Sequence, residues 1–229
     1  MFQSKIRPLI IPQSEHARLA GVLASLWGNA VFDRPALDWV GFVKGVTFHD
    51  RGYGLIDNFP IGVVDEVTWL GIMRQGIESQ YADPIADVLV LIHIQRLLRL
   101  RDTPERKELA DLAESSIQKQ LRQHHLTRKP FEWADRITRF CDSVAFHFAF
   151  GAPVEVTLPV YSQTTLMKEI VLTYTIESNG NIIVNPWPFA VDQGAGFIIG
   201  YQVEGYPDRL EPDIISWRIH RTPGDTSLP

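Results

Sequence analysis

The sequence predicts a mainly α-helical protein that carries a β-rich C-terminal part. Two observations predict it. Up to about Gly151 the apolar residues recur at helical spacing, and beyond it short β-prone runs alternate with turn residues. The change of period divides the chain into a helical domain, residues 1–151, and a β-rich appendage packed on it, residues 152–229. With 229 residues, 45% of them hydrophobic and 21% charged, the chain suffices for one large domain or a domain plus an appendage.

Residues 2–11 could add a short strand, which Pro12 ends. A helix is expected from about Ser14, a suitable N-cap, to Trp27. Its stripe of His16, Leu19, Ala20, Leu23, Leu26 and Trp27 puts His16 on the apolar face. A second helix should run from Pro35 to about Asp50, with Trp39, Phe42, Val46 and His49 along one stripe. "DRGYGLIDNFP" reads as a loop because glycine, asparagine and proline crowd it. A short helix follows over residues 65–76. Residues 82–101 form a helix apolar nearly all round until Gln95, with Pro84 in its first turn and arginines late. Thr103-Pro104 opens a charged amphipathic helix to about His124. The last helix spans about Phe131 to Phe150 and stops at Gly151. Strands are expected over 154–161, 168–177, 181–185, 196–204 and 213–220, with "ESNGN" as a hairpin turn.

A net charge of −5 offers no basic field for nucleic acid. One cysteine, Cys141, excludes an intramolecular disulfide and any thiolate cluster. Pro8 and Pro12 break the N-terminal apolar run, so no signal-peptide core is expected there. The apolar run Val88 to Ile92 is too short to cross a bilayer. These features lead to the expectation of a soluble cytoplasmic protein acting on a small molecule, with no nucleic-acid or membrane partner. The β-rich part could cover the helical site or pair across a homodimer.

The residues that could carry chemistry stand where a core needs apolar groups: His16, His49, Asp50, His93 and Asp142. Alone, each histidine reads more readily as a hydrogen-bonded core residue than as a ligand, and Asp50 at least as readily as a loop cap. Asp142 is the hardest to explain so, because "RFCDSVAFHFAFG" is apolar on nearly every side and a buried carboxylate needs a partner. Three histidines and two aspartates on separate helices supply N and O ligands suited to Zn, Fe, Mn or Mg. Helical proteins build metal sites from facing helices in this way. His49 and Asp50 can reach one ion together only if their helix ends there, which Gly52 and Gly54 would permit. His147 lies about 140° around the last helix from Asp142, and so is set outside the site.

The order His16, His49-Asp50, His93, Asp142 resembles the H…HD…H…D pattern of the HD-domain metal-dependent phosphohydrolases. "QSEHARLAGVLASLWG", "HDRGYGLID", "LIHIQRLL" and "FCDSVAFHFAFG" resemble more closely a bacterial family catalogued as a domain of unknown function, number 3891. The resemblance implies an HD-like helical bundle. It implies one divalent metal on His16, His49, Asp50 and Asp142, with His93 at a second metal or near the scissile group. Asp57 could hold metal-bound water or cap its loop, and Asp135 is the rival of Asp142. Asp50, His93 and Arg96 would serve catalysis, with Arg18, Arg51 and Arg139 as further cations near the ligands in sequence.

The implied activity is metal-dependent hydrolysis of a phosphoester or nucleotide-like small molecule, the ion lowering the pKa of its water to about 7 in favourable sites. Tyr53 stands where many of those enzymes carry a lysine in HDxGK. That departure leaves two alternatives open: a ligand-binding or regulatory protein without turnover, and a diiron-type oxygenase.

Overall fold

The computed structural model describes residues 1–53, 60, 63–80, 82–151, 153–161 and 168–221. Two short strands, β1 (Phe2–Gln3) and β2 (Leu9–Ile11), open the chain. Six helices follow among the described residues: α1 (Gln13–Leu26), α2 (Trp39–Thr47), α3 (Glu66–Glu78), α4 (Pro84–Leu98), α5 (Pro104–Gln123) and α6 (Lys129–Phe150). A 3-10 turn, Arg51–Tyr53, lies between α2 and α3. Five strands complete the order: β3 (Val154–Tyr161), β4 (Glu169–Ile176), β5 (Asn181–Asn185), β6 (Gln193–Gln202) and β7 (Pro212–His220).

The helix ends follow local chemistry. Asp38 accepts a hydrogen bond from the Gly41 amide at 2.8 Å, so α2 starts at Trp39 and not at Pro35. Asp83 and Thr103 cap α4 and α5, each with proline in the first turn as expected. Ser14 does not cap α1, because β2 runs directly into a helix that begins at Gln13, with Pro12 at the cap position. Gly151, at φ 73°, ends α6.

The expectation of a mainly α, HD-like bundle is overturned. Helix accounts for 47% and strand for 23%, and the strands form one mixed seven-stranded sheet curled into a half-barrel. Its order is β1-β2-β6-β7-β5-β4-β3, antiparallel throughout except where β5 meets β7. The N-terminal strands therefore belong to the same sheet as the C-terminal ones, Leu9 pairing with Gln202 and Ile10 with Tyr201. Leu9, Ile10 and Ile11 are all buried, a run too short to show any period.

Alternation along the later strands explains the second layer. Leu172, Tyr174 and Ile176 of β4, Ile182 and Val184 of β5, and Ile215, Trp217 and Ile219 of β7 are buried, giving the sheet an apolar face. Helix α6 packs against β3 and β4, and α1 against β6. Trp27, just past α1, meets Phe140 of α6 and Phe189 at ring distances of 5.8 and 6.3 Å. One hydrophobic core thus draws on both parts of the chain, as in an α+β arrangement. No helix among the described residues is long and apolar enough to cross a membrane.

Candidate metal centre

Helix α1 packs on α2 and α6, and α4 on the same two, so four helices surround a common point. Four side chains meet there. His16 Nε2 of α1 lies 3.1 Å from His49 Nε2, 3.3 Å from Asp50 Oδ2 and 3.3 Å from Asp142 Oδ1 of α6. His49 Nε2 lies 3.5 and 3.4 Å from those two oxygens. Donors bound tetrahedrally at about 2.0–2.1 Å are about 3.3–3.4 Å from one another. These five separations therefore fit a single coordination sphere, and the donor set suits a divalent cation.

Adjacent His49 and Asp50 both reach the point because α2 has already stopped at Thr47. The chain tightens through residues 48–50 into the 3-10 turn. His49 Nδ1 sits 2.7 Å from the Val46 carbonyl, which only accepts, so Nδ1 carries a proton and Nε2 is left to bind. Gly52 is required by a close approach: a Cβ there would stand 2.5 Å from the Ile72 carbonyl oxygen of α3. Gly54 and Asp57 lie outside the described residues.

The charges are tightly linked. Burial acts to lower the pKa of His16, but Asp142 and Asp50 outweigh it and push the imidazole up to about 9. His49 is raised by the same carboxylates against the same opposition. Burial would raise Asp50 and Asp142, yet the charge of His49 and the hydrogen bonds of His16 hold both well below the usual carboxylate range. Without a bound metal ion, protons on the imidazoles balance the two carboxylates, helped by Arg96 Nη2 at 3.8 Å from Asp142 Oδ2.

His93 of α4 closes the cluster from a different chemistry. Its Nε2 lies 3.4 Å from Asp50 Oδ1, so His49, Asp50 and His93 form a second ligand-type group overlapping the first. However, Arg96 Nη2 donates to His93 Nδ1 at 2.9 Å, and arginine cannot accept. Nδ1 therefore bears the lone pair, and a neutral His93 carries its proton on Nε2. Burial and the Arg96 charge lower the pKa of His93, which keeps it neutral. That Nε2 is buried and lacks a well-formed hydrogen bond. In this arrangement His93 is a donor directed at the site.

A cavity of about 730 Å³ is lined by His16, Asp50, His93 and Asp142. Arg96, Arg101, Arg106 and Arg139 also line it, bringing four cations to one space. Arg106 is committed to Glu66 through Nη2 at 2.9 Å and lies 4.2 Å over the Trp69 ring. Arg139 is exposed and makes no ion pair among the described residues. Tyr53 occupies the cavity wall as a phenol, accepting a hydrogen bond from Trp69 Nε1 at 2.7 Å. Burial raises the Tyr53 pKa, so the phenol stays protonated.

The family described as "Protein of unknown function (DUF3891)" matches residues 3–203. The chain belongs to that family. No curated protein and no solved structure matches it. The DUF3891 match spans all four converging side chains and reaches the end of β6. None of these findings links the chain to the HD-domain phosphohydrolases.

Within this DUF3891 fold, some residues singled out in the sequence lie elsewhere. Asp135 does not join the cluster; it faces Arg96 at 3.4 Å. Arg51 is turned away from the cavity, donating to Asp87 Oδ1 of α4 and, at 2.8 Å, to the Gly76 carbonyl. Arg18 pairs with Glu15 at 2.6 Å and donates to the Phe197 carbonyl. His147, set aside from the sequence, lines the same cavity as Asp142 because that space is wide enough to take in more than one strip of α6. Arg101, Arg106 and Trp69 were not singled out. The only sequence signal for the two arginines is the density of charge around "RDTPERKE".

Proposed function

We propose that this chain is a metal-dependent hydrolase acting on a phosphoester or nucleotide-like small molecule. The observation that carries the reading is the approach of His16 and His49 to each other and to Asp50 and Asp142 beside a cavity with four arginines. The ordered ligand set resembles that of the HD-domain phosphohydrolases, although the architecture differs. The ligands would take Mn, Mg, Zn or Fe, and a bound divalent ion would supply an acidified water and polarise a phosphoryl oxygen.

The chain's own residues would do the rest. Asp50, with one oxygen in the ligand cluster and the other facing His93, would orient the attacking water. His93 would donate from Nε2 to an oxygen that gains charge. Arg96 holds His93 in that tautomer and would, with Arg139, face the phosphoryl oxygens. The exclusion of bulk water by the buried imidazoles strengthens each of these interactions. Two irons are disfavoured, because Arg96 occupies one nitrogen of His93 and leaves a proton on the other. Tyr53 in place of a lysine favours a second reading, a binding protein that retains the pocket without turnover.

Metal analysis of purified protein, then assays with bis-p-nitrophenyl phosphate and p-nitrophenyl phosphate plus Mn or Mg, test the proposal. Bound or restorable metal that is lost in His16→Ala and Asp142→Ala, together with turnover, is the expected result. Metal without turnover leaves the binding protein, and no restorable metal removes both hydrolase and oxygenase.

A further inference from the structure

His147 lines the cavity but takes no part in the ligand cluster. Its Nδ1 lies 2.9 Å from the Ser143 carbonyl oxygen and 2.7 Å from the Tyr174 hydroxyl. The carbonyl can only accept, and a bare nitrogen opposite it would set two lone pairs against each other. Nδ1 therefore carries the proton, and Nε2 is an acceptor on the ring edge left to face the cavity.

Tyr174 extends the argument. It is 0% exposed, so its hydroxyl proton needs an acceptor within the protein. Within reach are His147 Nδ1, already protonated, and Ser143 Oγ at 2.7 Å. Tyr174 thus donates to Ser143, which leaves the Ser143 hydroxyl proton to be donated elsewhere. Ser143 also lines the cavity. The result is one donor and one acceptor, a turn apart on α6, presented to the same space and set by a buried phenol behind them.

We propose that Ser143 and His147 form a second subsite, which takes an uncharged hydroxyl or amide group of the substrate. Such a group can accept from Ser143 Oγ and donate to His147 Nε2, whereas a phosphate oxygen would meet the His147 lone pair unfavourably. Resting on the phosphoester reading, this makes the substrate an anionic ester whose organic part carries hydroxyl or amide groups, and not a bare polyanion. Phe146, also in the lining, offers an apolar face beside that group.

Long-range ¹H–¹⁵N spectra of the full chain, with His147 assigned by His147→Gln, read the tautomer directly. Protonated Nδ1 and bare Nε2 are expected, and Nε2 should shift on adding uridine 5′-monophosphate but not inorganic phosphate. By calorimetry, Ser143→Ala and His147→Phe should each weaken the nucleotide about five- to tenfold and leave phosphate nearly unchanged, as expected for one lost hydrogen bond. A proton on Nε2, an equal effect on both probes, or no response to the nucleotide overturns the subsite. Failure of metal-dependent turnover with these responses intact overturns the hydrolase reading alone.

Discussion

Metal uptake should expel a proton, and the amount follows from His16. In the metal-free protein its pKa stands at about 9, so at pH 7 about 99% of the imidazole is protonated and must give up that proton to bind. At pH 9 about half is already free. Apparent affinity should therefore rise about fiftyfold from pH 7 to pH 9 through His16 alone, and His49, also raised, adds to it. Calorimetric titration with Zn or Mn in buffers of different ionisation enthalpy measures the proton count, about one or more at pH 7. Stability gives a check of opposite sign. A folded pKa above the unfolded 6.5 stabilises the metal-free protein fully below pH 6.5, and this contribution is lost as pH rises through about 9. It amounts to something on the order of 3 kcal/mol. Asp50 and Asp142 are depressed, so their contribution is lost only in acid, outside this window. The Tm of chelated protein should thus fall between pH 6.5 and 9 while that of loaded protein holds or rises. Binding with no proton release and a flat pH dependence would refute His16 as a ligand.

Four further outcomes follow from the packing of the protein. Asp87→Ala removes the carboxylate that pairs with the Arg51 guanidinium, whose side chain is 1% exposed, and should cost about 3–5 kcal/mol in urea unfolding. Arg74→Ala, at an exposed pair, should cost under about 1 kcal/mol by the same measurement. Gly52→Ala forces a Cβ against the Ile72 carbonyl and should destabilise by about 1–3 kcal/mol, with weaker metal binding because the His49-Asp50 turn must shift. Arg96→Leu should keep metal content, release the His93 tautomer in ¹⁵N spectra, and lower phosphodiester turnover about 10²–10³-fold; unchanged turnover would remove Arg96 from the machinery.

Local patterns carried much of this into the sequence. The stripes through His16 and His49 placed both imidazoles on buried faces, and the apolar surroundings of Asp142 selected it over Asp135. Strand β3 falls at residues 154–161, as its alternation indicates, and β5 at 181–185. Pairing between distant segments was not legible, because Leu9–Ile11 is three apolar residues with no period to identify it as a partner of β6. Arg51 stands beside the ligand pair in sequence, but proximity in sequence says nothing about direction. Its partner Asp87 was hidden in a helix that otherwise reads as wholly apolar, though a lone acid in "PIADVLVLIHIQ" could have prompted the search for a cation. The helical angle that set His147 apart from Asp142 agrees with its absence from the ligand cluster, but an angle says nothing of the width of the cavity that His147 also lines.

The pairing of β2 with β6 also sets an order of events during synthesis. Phe2 in β1 stands 4.9 Å from the His16 ring and forms part of the cavity wall, and β1 is held by β2. While the helices emerge from the ribosome, β2 has β1 but still lacks β6, and that wall is without its sheet support. Residues near 202 must be made before β2 gains that strand, and until then Phe2 has only β2 and the rings of Phe146 and Phe150 on α6 to hold it beside His16. Closing so long a loop is slow compared with helix formation. The four converging side chains can therefore gather before the β2 edge of their pocket is fixed, and a metal ion of the kind proposed would meet a more open cluster first and an enclosed one later.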